Sequence, residues 1–202
     1  MNHRIKNLFA LAGSVVNLSA RNAESVEALK ERVLSRLQAL SQAHALTMVQ
    51  DHGHLSVPPA TVSLHSLVYA IILPYQGDRG VNRAVISGDD LELSPTSITA
   101  FALLLHEFAT NAAKYGALSS HEGRLEIGCS ASAGRVKVTW MERGGPVVER
   151  QAVSEGFGSM LTRASAQSLG GQVTYDWNSE GVTIVLDCSL ERIQLPAASR
   201  PA

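Results

Sequence analysis

The stretch L-L-L-H-E-F-A-T-N-A-A-K-Y-G, residues 103–116, decides how the rest of the chain is read. At 100° per residue, Glu107, Asn111 and Lys114 fall within roughly 60° of one another, while Leu105, Ala109 and Ala112 point to the opposite side. The stretch is predicted to be a helix with a core face and a face bearing a carboxylate, an amide and an ammonium. A carboxylate and an amide oxygen are hard ligands for Mg²⁺ and an ammonium neutralises phosphate oxygens, so this set suits nucleotide chemistry. On spacing alone, an ordinary solvated face of an amphipathic helix accounts for it as well.

Two glycine-containing segments add context. Residues 135–140 alternate as a strand does and run into M-E-R-G-G-P, residues 141–146; ten residues later G-F-G, residues 156–158, opens a helical pattern. Glycine lets a backbone approach phosphate closely with its N–H groups free, and a helix starting there adds a favourable dipole. Singly each is weak, because Gly-Gly-Pro is usually a turn.

Taken together and in this order, the residues resemble the ATP-binding domain of histidine kinases, and more narrowly the HWE group. That group is named for a histidine in one box and a Trp-x-Glu in the next, matched here by His106 and by Trp140 and Glu142. The segment N-H-R-I-K-N, residues 2–7, resembles the phosphoacceptor segment of the same group, so the likeness covers residues 2–190.

The resemblance implies a histidine kinase core that uses ATP and Mg²⁺. His3 is then the phosphoacceptor, whose imidazole nitrogen attacks the γ-phosphate. The phosphoryl group passes on to an aspartate of a response regulator. Asn111 is carried over as the Mg²⁺ ligand, Lys114 as a phosphate contact and Glu107 as a base or orienting group toward His3. Glu142 stands where most histidine kinases place the aspartate that recognises the adenine amino group. Gly144, Gly145, Gly156 and Gly158 match the glycines flanking a lid, and Thr183 is expected on the adenine side. His106 either orients Glu107 or contacts nucleotide, and Trp140 either serves the site or is a core aromatic closing a strand. Many histidine kinases follow the phosphoacceptor with an acidic residue; Arg4 stands here, which strengthens Glu107 as the base.

The 202 residues suffice for one ordinary domain and a small appendage, and 45% apolar residues allow a real core. A net charge of −1 gives no basic field for nucleic acid or anionic lipid. Cys129 and Cys188 lack metal or redox spacing and are expected as buried free thiols. His52 and His54 lie in a polar segment without partners that would complete a metal site. No run approaches the ~20 apolar residues needed to span a bilayer, so a cytoplasmic location is expected.

Residues 2–21 read as a helix whose stripe of Ile5, Leu8, Ala12, Val15 and Val16 leaves His3 facing water. Residues 25–50 form a second, with Val26, Leu29, Val33, Leu37 and Leu40 as a bundle seam that His44 continues as a packed or interface histidine. Two such helices cannot bury both stripes alone. Pairing of two copies into a four-helix bundle, giving a homodimer, or packing on the neighbouring domain are the two solutions.

A polar segment ending in Pro-Pro separates residues 1–54, the dimerisation and phosphotransfer hairpin, from a catalytic domain at 55–195 and a disordered tail at 196–202. Within the catalytic domain, residues 62–73 are expected as a helix, and 83–87 and 91–93 as strands. Ser94-Pro95 caps the long helix. Hairpins follow at 124–131 with 135–141 and at 172–177 with 182–190, with a mobile lid at 143–156 and a helix at 159–169 between them. Antiparallel strands with helices on one face make an α+β two-layer sandwich, in agreement with the Bergerat-type fold that the resemblance implies.

Two readings compete on the same architecture: a phosphotransfer protein with a vestigial ATP site, and a serine kinase of the anti-sigma type that would not need the His3 hairpin. A structural interaction module is a third, because no sensory domain appears in this chain. A fragment of a longer kinase and a chain with a separate input partner are both open.

Overall fold

The computed structural model describes residues 12–17, 19–20, 23–48, 62–76, 83–146 and 157–194. His3, Arg4, His52, His54 and Gly156, the 54/55 boundary, most of the expected lid and the tail lie outside these residues.

The long expected helix forms as α4, Pro95–Lys114. Ser94 holds an extended backbone and its hydroxyl accepts from the Ser97 N–H, with Pro95 in the first turn where no N–H is needed. Thirteen of its 20 residues are buried, because sheet and helices cover it on nearly every side. At the far end, the Tyr115 and Gly116 N–H groups both donate to the Asn111 carbonyl, closing the last turn.

Beneath α4 lies a five-stranded sheet of β2 (Ala84–Gly88), β4 (Arg124–Ser132), β5 (Arg135–Arg143), β6 (Gln172–Asn178) and β7 (Gly181–Ser189), in the order β2-β4-β5-β7-β6. The two expected hairpins are present. The first turns through Ala133 and Gly134 with φ of 50° and 73°, the left-handed pair that matches strand twist. The sheet is mixed rather than wholly antiparallel, since edge strand β2 runs parallel to β4. The helix α4 intervenes between them in the chain and returns it to the same end of the sheet, a crossover that permits parallel pairing.

Residues 62–73 do not form one helix. Val62–Ser63 is a short strand β1 paired with β3 (Glu92–Leu93), and Ser63 caps the helix α3, Leu64–Ile72, by accepting from the Ser66 N–H. Pro74 then tightens Leu73–Tyr75 into a 3₁₀ turn. The helix α5 runs Phe157–Ser168, and a final turn α6, Leu190–Ile193, closes β7. All the larger helices lie on one face of the sheet, where Trp140, Phe101, Leu104, Leu105, Leu125 and Ile127 are fully buried.

The N-terminal helices are α1, of which residues 12–17 and 19–20 are described, and α2, Val26–Met48. The face of α2 that is buried consists of Arg36, Ala39 and Ala43, roughly a quarter turn round from the leucine seam read in the sequence. Small residues let α2 approach α4 closely, and Arg36 finds a carboxylate there. The seam itself is half-buried, with Val26 at 76% exposure, and His44 is exposed rather than packed. Val15 of α1 joins Leu103 of α4 and Leu161 of α5 in a small cluster against Leu40. Of the two solutions open to the hairpin, packing on the neighbouring domain is therefore realised within one chain.

Cys129 and Cys188 are buried free thiols, as expected, and burial pushes their pKa values up to about 11 and about 12. No described helix is long and apolar enough to cross a membrane.

Candidate functional site

The polar face of α4 is divided between two surroundings. In its middle it meets the N-terminal helices. Arg36 forks onto Glu107, with Nε donating to Oε1 at 2.8 Å and Nη2 to Oε2 at 3.0 Å, while Nη1 donates to Ser19 Oγ at 2.8 Å. Both charged side chains are almost fully enclosed. This planar, two-bond geometry is the arrangement in which an arginine holds a carboxylate most firmly. Beside it, His106 Nε2 lies 2.7 Å from Ser35 Oγ, and Nδ1 lies 3.4 Å from the Tyr75 hydroxyl. His106 thus faces the hairpin, and its partners are hydroxyls.

Burial pushes the His106 pKa below the ordinary histidine value; Glu107 opposes this, while Arg36 and Lys114 add to it. The folded state then binds fewer protons here than the unfolded chain does, so this contribution to stability is present above pH 6.5 and is lost as pH falls below that value. His106→Gln should flatten the acid side of the stability curve below pH 6.5, read by urea denaturation across pH. An unchanged slope would show that another group governs it. Glu142 acts with the opposite sign: burial raises its carboxyl above 4.5, so its contribution declines as pH rises above 4.5.

The second part of the site lies at the C-terminal end of α4. Asn111 and Lys114 are exposed there, one and two turns beyond Glu107 on the same face. The chain then passes through Gly116 into the 3₁₀ turn Ala117–Ser119. That turn is pinned from two sides. Glu142 Oε2 accepts the Ala117 N–H at 2.9 Å, and the Leu118 and Ser120 carbonyls accept from the guanidinium of Arg83. A Cβ on Gly116 would stand 1.9 Å from Glu142 Oε2, and one on Gly145 would stand 2.8 Å from the Ala117 nitrogen. The Gly-Gly-Pro segment therefore packs directly on the end of the helix, with Gly144 in the left-handed region at φ 69°.

Strand β5 extends to Arg143, two residues beyond its expected end, and this sets the orientation of Trp140 and Glu142. Alternation puts both on the inner face, where the indole Nε1 donates to Glu142 Oε1 at 3.0 Å. The Trp-x-Glu spacing was the signal for this contact: two residues apart on a strand means side by side.

Thr183 requires correction. In β7 it pairs with Met141, whereas Val182 pairs with Glu142, so Thr183 occupies the opposite face of the sheet from Glu142 and the helices. The physical cause is the two-residue period of the strand, which sends neighbours to opposite sides. Val182, buried at 6% exposure, is the β7 residue that shares Glu142's face. Gly158 falls in the first turn of α5.

The donor set fits Mg²⁺ in a limited way. Mg²⁺ is held by one or two protein oxygens plus phosphates and water, and Asn111 offers one exposed amide oxygen. Glu107 does not serve as a second ligand in this arrangement, because Arg36 takes both of its oxygens.

Comparison with known proteins adds independent evidence. Residues 1–90 match the family model described as HWE histidine kinase. Residues 1–90 of this chain carry an HWE histidine kinase family domain. Blue-light-activated histidine kinase 1 of Erythrobacter litoralis is 36% identical over 184 residues, which is 90% of this chain and 49% of that protein. A blue-light-activated histidine kinase of Rhizobium johnstonii is 30% identical over 190 residues, 93% of this chain and 51% of that protein. The chain spans about half the length of these curated relatives. Among solved structures, the histidine kinase domain of an Erythrobacter litoralis blue-light activated histidine kinase has a TM-score of 0.64 at 16% identity, covering 94% of this chain and 95% of that one. A longer structure of a blue-light activated histidine kinase from the same organism gives 0.74 at 15% identity, covering 94% and 60%. At such identity the likeness concerns the fold alone: the chain has the helix-plus-sheet architecture of these structures.

Proposed function

We propose that this HWE histidine kinase domain transfers the γ-phosphoryl group of ATP to His3 and then to an aspartate on a response regulator in the cytoplasm. One observation carries the reading: Asn111, Lys114, Gly116, Glu142, Gly144 and Gly145, from two separate segments, converge on one end of α4. Phosphoryl transfer asks a protein mainly for positioning and charge neutralisation, and these groups supply both.

In this reading Glu142 accepts from the adenine amino group and Lys114 contacts phosphate oxygens. Asn111 holds Mg²⁺, which when bound neutralises charge on the phosphates. Gly144, Gly145, Gly156 and Gly158 flank the segment that covers the nucleotide. The His3 nitrogen forms a bond to phosphorus as the bond to the β-phosphate oxygen breaks. ADP leaves and the imidazole proton passes to a base. Glu107 is that base, and it acts once Arg36 has turned aside. His106, packed against Ser35 and Tyr75, orients the neighbouring Glu107 rather than touching nucleotide. The half-buried seam of α2 gives a second copy a surface on which to pair, and the homodimer is proposed on that ground.

Incubation with γ-labelled ATP and Mg²⁺, comparing the wild type with His3→Ala and Asn111→Ala, tests the proposal. Acid-labile label on the wild type and none on either variant is expected. Acid-stable label, or label that survives His3→Ala, sinks it.

A further inference from the structure

We infer that Trp140 is a positioning residue for nucleotide selection, its indole N–H fixing the Glu142 carboxylate so that the remaining lone pairs receive the amino group of an adenine ring. The inference rests on the reading of Glu142 as the adenine contact and deepens it.

The indole is fully buried and is held edge-on against Phe108, with ring centroids 5.7 Å apart at 60°. It has little freedom to turn, so its N–H is a fixed donor. From the other side the Ala117 N–H, set by the pinned turn after α4, donates to the second oxygen. Two rigid donors on two oxygens define both the position and the plane of the carboxylate. Each oxygen has two lone pairs and spends one, so one on each is left. An ionised carboxylate accepts and does not donate. A purine with an amino group at the contacted position is therefore favoured, and one with a carbonyl oxygen there is repelled.

A core role alone does not explain this arrangement. Phenylalanine fills such a position and packs on Phe108 without needing a partner, and a buried indole N–H is satisfied by any backbone carbonyl. Glu142 is instead a buried carboxylate at 5% exposure whose protein partners are two N–H groups, and burial raises its pKa. Keeping a carboxylate there is expensive, and the cost is understandable if a ligand donor completes its shell.

The test is a cycle between protein and ligand. Binding of ATP and of purine riboside triphosphate, which lacks the amino group, is measured by calorimetry on the wild type and on Trp140→Phe. A second variant replaces Trp140 with benzothienylalanine, which keeps the shape of the indole without the N–H. Loss of positioning should weaken ATP binding by about tenfold and change binding of the amino-free analogue by no more than about twofold. Equal weakening of both ligands, or no weakening of ATP in the benzothienylalanine protein, overturns the positioning role. A wild type that binds ATP and the amino-free analogue equally well overturns the reading of Glu142 itself, and this inference with it.

Discussion

Glu107→Gln is expected to slow His3 autophosphorylation by about 10²- to 10⁴-fold while leaving the Kd for Mg-ATP within about twofold. Glutamine preserves the shape of the side chain and keeps one oxygen for the Arg36 fork, so the contact between α2 and α4 should survive. What is lost is the capacity to take a proton. Arg4, next to His3, offers no replacement at neutral pH, because guanidinium does not act as a base. The residues proposed to hold nucleotide at the end of α4 lie at least one turn away and are not linked to Glu107 by the hydrogen bonds described above. Autophosphorylation rate and calorimetric affinity measured on the same preparation separate the two effects; a wild-type rate would end the role of Glu107 as base.

Arg36→Met is expected to destabilise the protein by about 3–5 kcal/mol, because it strands the Glu107 carboxylate in a buried setting without its partner. The residue pair, at 4% and 8% exposure, has little water to fall back on. Arg36→Met combined with Glu107→Leu should return most of that loss, since a buried ion pair replaced by apolar groups of similar size is often neutral. Urea denaturation of the two single variants and the double variant gives the coupling directly. Additive losses would mean that the fork contributes little beyond the packing of each side chain.

Much of the fold was legible because it rests on local rules. The Ser94-Pro95 start of α4 needs only a hydroxyl acceptor and a residue without an N–H, and both hairpins announce themselves by alternation and turn residues. Glu142, Gly144 and Gly145 were singled out by resemblance, and the structure shows backbone or carboxylate so close at Gly116 and Gly145 that a Cβ would clash. The parallel edge strand was missed because its register depends on a crossover through α4, a non-local pairing with no periodic mark. Thr183 lies on the opposite face of the sheet from Glu142, because a step of one position in sequence is a reversal of face in a strand. The docking face of α2 was missed for a different reason: its leucines satisfy a helical period, but within the chain α2 meets α4 by Arg36, Ala39 and Ala43, a choice dictated by what α4 presents, which leaves the leucine seam half-buried.

The sequence by itself determined that residues 103–114 belong to a helix with Asn111 and Lys114 on one face, and that Trp140 and Glu142 sit near a glycine turn. Those properties follow from spacing and residue chemistry within short windows. Only the tertiary structure decided that Glu107 is enclosed by Arg36 while Asn111 and Lys114 stay open. It also decided that Glu142 is held between Trp140 and Ala117. Burial and hydrogen-bond partners are set by elements distant in the chain, and no local pattern of residues carries that information.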